Sequence, residues 1–432
     1  MAVQSANFAN AANVVIIGAG FAGIEVARTL GAANIPTVLV DRQNFHLFQP
    51  LLYQVATAAL SPADIAEPIR KMVRRYSSVE VRLAEVVRID HPARTVLLST
   101  GESLAYRWLV LATGATHSYF GHDEWGPAAP GVKTIEDARS VRARLLRSFE
   151  FAEESRDPVE QRRLMTFGVV GGGPTGVEMA GSIIELARYA LAKDFRRINP
   201  RSAKVLLFEA GDRILASFPD SLARYASRQL SCLGVEVRTN CPVSDITERW
   251  LVADGEKIPM GLAIWAAGVA ASPLGATLGM QADKAGRIEV NPDLAVPGME
   301  GVYVAGDLAL VRDRQGRALP GLAQVAKQQG AYLGRALVKK IIAGADSAPF
   351  VFNNRGNTAI IGRHSAVFDF GWCRVKGWPA WLLWAVIHVY LLVGFEHRLL
   401  VVAQWVWRYL TYERGARLIL EPAGPKGAGT NF

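Results

Sequence analysis

Two glycine-rich turns of one form constrain this chain more than any other feature. Val14-Val15-Ile16-Ile17 runs into Gly18-Ala19-Gly20-Phe21-Ala22-Gly23, and Phe167-Gly168-Val169-Val170 runs into Gly171-Gly172-Gly173-Pro174-Thr175-Gly176. Each apolar run predicts a buried strand, and each hexapeptide predicts the turn from that strand into a helix. In G-x-G-x-x-G the first glycine permits the tight turn, the second lets the backbone approach a pyrophosphate, and the third allows close helix packing. The helix N-terminus then faces the phosphates. An acid closing the next strand accepts hydrogen bonds from ribose hydroxyls. Asp41 closes Thr37-Val38-Leu39-Val40, 18 residues past Gly23, and Glu209 closes Val205-Leu206-Leu207-Phe208, 33 residues past Gly176. The usual spacing is about 20, so an extended helix with an insertion through 189–200 is expected to absorb the excess. The expected fold class is α/β, with two Rossmann-like dinucleotide-binding domains. A chain of 432 residues, half of them hydrophobic, has room for two or three domains, one of them split in sequence.

The candidate contacts at the first turn are Gly18, Gly20, Phe21, Ala22, Gly23, Asp41 and Arg42, and at the second Gly171, Gly173, Pro174, Thr175, Gly176 and Glu209. Two dinucleotide sites imply two different dinucleotides, because a hydride must pass between them, and FAD with NADH is the common pair. Gly301-Val302-Tyr303-Val304-Ala305-Gly306-Asp307 resembles the late FAD motif of two-dinucleotide-domain flavoproteins, which implies FAD at the first site with Gly306 and Asp307 among its contacts. The plain alternative is a buried strand ending in a turn. The runs ending in Ala112-Thr113-Gly114 and in Ala267-Gly268 resemble the segments that close each nucleotide domain. They place an FAD domain at 1–135 with 290–350, an NADH domain at 136–289, and a C-terminal region at 351–432. Residues 80–90 and 95–98 read as extra strands covering the first sheet, with Val86 a candidate backbone contact to adenine. Glu209 favours the free 2′-hydroxyl of NADH over the 2′-phosphate of NADPH, although Arg213 nearby leaves NADPH open.

Three segments make the resemblance more specific. Phe45-His46-Leu47-Phe48-Gln49-Pro50-Leu51-Leu52-Tyr53-Gln54-Val55-Ala56-Thr57, the stretch from Gly171 through Val177-Glu178-Met179-Ala180 to Gly181, and Ala323-Gln324-Val325-Ala326-Lys327-Gln328-Gln329-Gly330 look like the type II NADH dehydrogenases. These are single-subunit NADH:quinone oxidoreductases that do not pump protons. The resemblance implies FAD contacts at Gln54, Gln324, Val325 and Ala326, with Pro50, Leu51 and Leu52 near the flavin. It implies a quinone site at Gln324 and Gln328, which lie four apart and share a helix face. Both amides on a solvated face is the alternative. The resemblance also implies a carboxylate, Glu178, near nicotinamide and flavin. An acid in the first turn of a helix is stabilised by the macrodipole whatever its role, so that explanation stays open. His46 is equally readable as a structural residue or a proton donor.

From Trp372 onward the composition changes, with six of the ten tryptophans in that stretch. The apolar run 380–394 is about 15 residues, short of the roughly 20 that cross a bilayer. Glu396, His397 and Arg398 follow it. A second apolar run at 399–410 leaves His397, Gln404, Arg408 and Thr411 as a narrow polar stripe. This predicts an amphipathic-helical segment lying in one leaflet, with rings at the headgroup boundary. A buried helix pair or a dimer interface is the alternative. A quinone site opening between this segment and Gln324 and Gln328 would suit a bilayer-soluble acceptor.

The expectations that follow are a peripheral, monotopic enzyme on the cytoplasmic side of the cell inner membrane, a homodimer, and either ubiquinone or menaquinone as acceptor. The net charge of +9 is spread without a basic, aromatic-interleaved tract, which ranks nucleic acid last among partners. Residues 1–12 carry neither a secretory nor a transit signal and read as a short tail. Cys232, Cys241 and Cys373 show no metal-ligand or redox-pair spacing, which argues against a metal site and against sulfide:quinone chemistry. A ferredoxin reductase would not need the aromatic C-terminus, and a redox-responsive interaction protein with slow turnover is the rival of a different class.

Overall fold

The computed structural model describes residues 14–391, 395–411 and 415–419. The tail expected at 1–12 and the side chains of Glu396, His397, Arg398 and Arg408 lie outside the described residues. The chain divides into two compact units, one formed by the residues up to Leu47 with Ala66–His117 and Val269–Arg355, the other by Phe48–Ile65, Ser118–Gly268 and the residues from Gly356 onward.

The first unit is built on a five-stranded parallel sheet in the order Val302–Val304, Trp108–Leu111, Val14–Ile17, Thr37–Asp41, Val79–Leu83. Val14–Ile17 is buried along its whole length, as befits an apolar strand with neighbours on both sides. The helix Phe21–Ala32 leaves the first glycine turn, and the long helix Ala323–Ala343 packs on it so closely that a Cβ on Gly330 would stand 2.3 Å from the Ala22 carbonyl oxygen. The reading of 80–90 needs a correction. Val79–Leu83 is the edge strand of the parallel sheet itself, and only Val86–Asp90 joins Thr95–Leu98 and Ser103–Ala105 in a separate antiparallel sheet. The apolar alternation of Val79, Val81 and Leu83 is interrupted at Glu85, which marks the break between the two pieces.

The second unit repeats the plan with a four-stranded parallel sheet in the order Val235–Arg238, Lys204–Phe208, Thr166–Val170, Leu262–Trp265. The helix Pro174–Glu185 runs on into a π-helical turn, Leu186–Ala190, and a short 3-10 turn, Pro200–Ser202, before Lys204–Phe208 begins. This is the insertion that the long spacing to Glu209 required. The helix Ile135–Glu154 starts at a capping box, in which the Asp137 N–H donates to Thr134 Oγ1 at 3.0 Å and the Thr134 N–H to Asp137 Oδ2 at 2.9 Å.

A three-stranded antiparallel sheet, Asn357–Gly362, Ser365–Asp369 and Arg374–Gly377, was not legible in the sequence. It lies against Pro174–Glu185 at Gly181, where a Cβ would come within 1.9 Å of the Ile361 carbonyl oxygen. Two helices follow, Trp378–Leu391 and Phe395–Thr411. On the first, Ala380, Trp384 and His388 are buried, while Trp378, Leu382, Val386 and Tyr390, on the opposite face, are exposed. On the second, Leu399, Leu400, Val402, Val406 and Trp407 are exposed. Among the described residues no helix is long and apolar enough to cross a membrane.

Candidate functional site

The two glycine turns are constructed alike. Gly18 and Gly171 have φ of +96° and +109°, and a Cβ on either would strike the backbone of Ala112 or of Ala266 and Ala267. Cβ atoms on Gly23 and Gly176 would each stand 1.8 Å from the carbonyl oxygen of Gly18 and Gly171 respectively. These four glycines are required by the protein's own packing. Gly20 and Gly173 are different. Their φ values of −69° and −70° suit any residue, and a Cβ at either position would meet nothing within 4 Å. A glycine that the fold does not need, at the N-cap of a helix with no side-chain cap, fits a ligand whose phosphates come close to the backbone.

The strand-end acids match as well. Asp41 accepts the Ala19 N–H at 2.6 Å and the Gln43 N–H at 2.7 Å on its two oxygens. Glu209 accepts the Gly172 and Gly211 N–H groups, each at 2.7 Å. Each carboxylate is thereby tied to its own glycine turn and keeps lone pairs for a diol. Burial raises the Asp41 carboxyl above its ordinary value, against the pull of those two amides and of Arg42.

The first unit also gathers residues remote in sequence. A Cβ on Gly306 would touch Ala22 at 3.8 Å and Ala326 at 3.7 Å, and one on Gly321 would lie 3.3 Å from the Asp307 carboxyl. The glycine turn, the Gly306-Asp307 turn and the start of the long helix therefore meet at one place. Beside it, the buried Thr113 Oγ1 has no hydrogen-bond partner among the described residues, as expected of a group that a ligand satisfies. Together with the Gly20 cradle, this is a donor and shape set that FAD would fit, and the Gly173 turn with Glu209 offers a second dinucleotide a cradle of the same kind.

His46 resolves as structural: it is buried, its Nδ1 donates to the Ala19 carbonyl at 2.8 Å, and burial lowers its pKa. Val86 is buried and pairs with Leu98. Gln324 and Gln328 do share a helix face, and their amides hold the segment 353–355. The Gln324 side-chain oxygen accepts the Arg355 N–H at 3.1 Å, while Gln328 accepts from Asn353 N at 3.0 Å and donates to Asn353 O at 2.9 Å. The neighbouring Gln329, not anticipated, accepts the Gly306 N–H at 2.6 Å.

The second unit contains a cavity of about 810 Å³. One wall is a single face of the helix after the second glycine turn, carrying Glu178, Ser182, Glu185 and, in the π-helical turn, Tyr189. The spacing of these polar residues in an otherwise apolar helix was the signal that could have found it. Tyr53 and Gln54 line it from the short helix Leu52–Ala56, Ile360 from the antiparallel sheet, and Trp384 and Trp405 from the two C-terminal helices. Gln54 is spent inside this wall, donating to the Tyr53 hydroxyl at 2.9 Å and accepting the Trp405 indole N–H at 3.1 Å.

Glu178 requires a correction: it is the fifth residue of the helix Pro174–Glu185, not part of its first turn. The macrodipole acts mainly within the first turn, so that account of the acid lapses. Burial pushes its pKa up to about 8, and a single long hydrogen bond from the Ile360 N–H, 3.4 Å, does little to lower it. At neutral pH this side chain is a neutral acid with a proton to give. Among the described residues no group of three or more His, Cys, Asp or Glu is placed to hold a metal.

The model of the pyridine nucleotide-disulphide oxidoreductase family matches residues 12–330, and that of the NDH2 C-terminal domain matches residues 354–412. The type II NADH:quinone oxidoreductase NdhA of Mycobacterium tuberculosis is 42% identical over 94% of this chain and 89% of its own length. The mitochondrial internal alternative NAD(P)H-ubiquinone oxidoreductase A1 of Arabidopsis thaliana is 29% identical over 92% of this chain and 84% of its own length. In fold, the chain is similar to the structure of NDH2 from Plasmodium falciparum in complex with NADH, with a TM-score of 0.87 at 20% identity over 95% of this chain and 99% of that one.

Proposed function

Because this chain belongs to the type II NADH:quinone oxidoreductases, we propose that it oxidises NADH and reduces a membrane quinone, with FAD bound at the first glycine turn and NADH at the second. FAD, when bound, supplies the two-electron carrier between hydride donor and quinone. The chain's own residues bind, orient and protonate. Gly20 and Gly173 let the backbone meet each pyrophosphate, Asp41 and Glu209 take the ribose hydroxyls, and Gly306, Asp307, Val325 and Ala326 complete the flavin side, with 1–135 and 290–350 as its domain and 136–289 as that of NADH. Gln324 and Gln328 hold the segment 353–355.

The observation that carries the reading is the apolar cavity closed at one side by a neutral Glu178. An aromatic-walled space suits a quinone ring, and quinone reduction consumes protons as well as electrons, which Glu178 is placed to give. The anaerobic absorption spectrum of the purified protein tests the first half-reaction: a flavin band is expected that bleaches with NADH. A short-chain quinone then tests the second, and NADH oxidation that quinone does not stimulate would overturn the enzyme reading in favour of a slow redox-responsive binder.

The exposed apolar stripes of the two C-terminal helices support attachment at 351–432 to one leaflet, and the proposal places this monotopic protein on the cytoplasmic side of the inner membrane. Burying each large apolar side chain contributes roughly 1.5–3 kcal/mol, and each basic residue near an anionic surface about 1 kcal/mol. The protein is therefore expected to stay on membranes in high salt and to leave in detergent; release by salt alone counts against insertion. The proposal includes a homodimer and no proton pumping. Sealed proteoliposomes that acidify on one side in step with turnover, beyond the chemistry of quinone reduction, would overturn the latter.

A further inference from the structure

Two stacked indoles line the cavity and use their N–H groups differently. Trp405 donates to Gln54, whose amide passes on to the Tyr53 hydroxyl, so that N–H is satisfied inside the wall. Trp384 stacks on Trp405 with ring centroids 5.3 Å apart and planes at 25°, and on His388 at 4.2 Å and 26°. It is 2% exposed, and its Nε1 is buried with no hydrogen-bond partner among the described residues. Leaving such a donor unmet costs roughly 1–3 kcal/mol, and indole N–H can only donate.

The acceptors beside it are not available to it. The Gln54 oxygen is occupied by Trp405. The His388 Nδ1 carries its proton toward the Trp384 carbonyl, 2.8 Å away. The remaining ring nitrogen belongs to a ring nearly parallel to the indole, out of line with an N–H that lies in the indole plane. Trp384 itself lines the cavity together with Glu178.

We propose that the Trp384 indole N–H is the hydrogen-bond donor to a carbonyl oxygen of the quinone in this cavity, fixing the orientation of the ring relative to Glu178. The proposal rests on reading the cavity as the quinone site and adds a recognition residue to it. The stack with His388 and Trp405 holds the indole plane, and because Nε1 is buried a small turn of the indole edge toward the cavity accompanies binding.

Trp384→Phe keeps an aromatic ring in the stack and deletes the N–H. In the flavin-loaded protein, the KM for a short-chain quinone is expected to rise about 2- to 13-fold, the equivalent of one net hydrogen bond. The KM for NADH and the rate of flavin bleaching by NADH should not change. An unchanged quinone KM overturns the proposal. The wild-type protein with 15N-labelled tryptophan supplies a readout that loss of packing alone would not move: the Trp384 indole N–H signal shifts downfield with quinone and stays in place with a methylated benzene of similar size. If quinone moves the Trp405 signal but not that of Trp384, the proposal fails while the cavity reading stands. If no cavity indole responds, both fail. Trp384→Tyr provides the assignment should the phenylalanine variant not fold.

Discussion

The Glu178→Gln variant is expected to reduce quinone about 100-fold more slowly than the native protein, the usual scale for losing a positioned proton donor, while becoming more stable. NADH should still bleach its flavin. The stability gain follows from linkage. Burial raises the carboxyl pKa from 4.5 to about 8, so the folded state retains a proton that the unfolded state releases. Below pH 4.5 both states hold it and there is no penalty. As pH rises from 4.5 toward 8 the unfolded state is progressively favoured, and above 8 the penalty is constant. At pH 7 it amounts to roughly 3 kcal/mol, which a neutral amide does not incur. Melting temperatures measured from pH 4 to 9 should coincide at the acid end and diverge up to about pH 8, with the variant higher. A variant that is slower yet shows no such divergence would mean that Glu178 is not a buried acid, and a stabilised variant at full speed would mean that its proton is not used. Retaining a destabilising residue where activity needs it is a recognised trade between stability and function.

Different parts of this molecule were legible to different degrees, for physical reasons. Local chemistry with an obligatory spacing could be read directly. The two glycine turns, the acids at the following strand ends and the parallel strands at Trp108–Leu111 and Leu262–Trp265 are where the sequence places them. The paired apolar helices at the C-terminus are present as well, because an apolar run of helical length bounded by charge has few other solutions. Non-local pairing was not legible. The antiparallel sheet Asn357–Gly362, Ser365–Asp369 and Arg374–Gly377 consists of strands of six residues or fewer, too short for a periodicity to register. The cavity draws its walls from five separate elements, so no contiguous segment announces it. Gln324 and Gln328 mark the limit of motif reading: the motif locates the helix face, and only the packing shows that both amides reach the backbone at 353–355.

Gly20 and Gly173 permit the cleanest separation of folding from binding, because a methyl group added at either meets no protein atom. Their φ values lie where alanine is unstrained, so Gly20→Ala and Gly173→Ala, stripped of ligands, should melt with the native protein. With dinucleotide present the new methyl stands where the pyrophosphate approaches, and overpacking of that kind typically costs 1–3 kcal/mol. For Gly173→Ala this becomes a rise in the KM for NADH of roughly 5- to 150-fold, with the flavin retained and the KM for quinone unchanged. For Gly20→Ala the same penalty falls on FAD, and the purified protein should emerge partly colourless and regain activity as FAD is added. Gly23→Ala and Gly176→Ala serve as the contrast, since a methyl 1.8 Å from a carbonyl oxygen forces the helix off its turn and should lower the melting temperature before any ligand is considered. Absorbance at the flavin band, steady-state kinetics in both substrates and melting of the stripped proteins separate the four. Loss of flavin in Gly173→Ala with NADH kinetics intact would exchange the two dinucleotides between the turns, and four variants with one common phenotype would remove the ground for assigning either turn to a ligand.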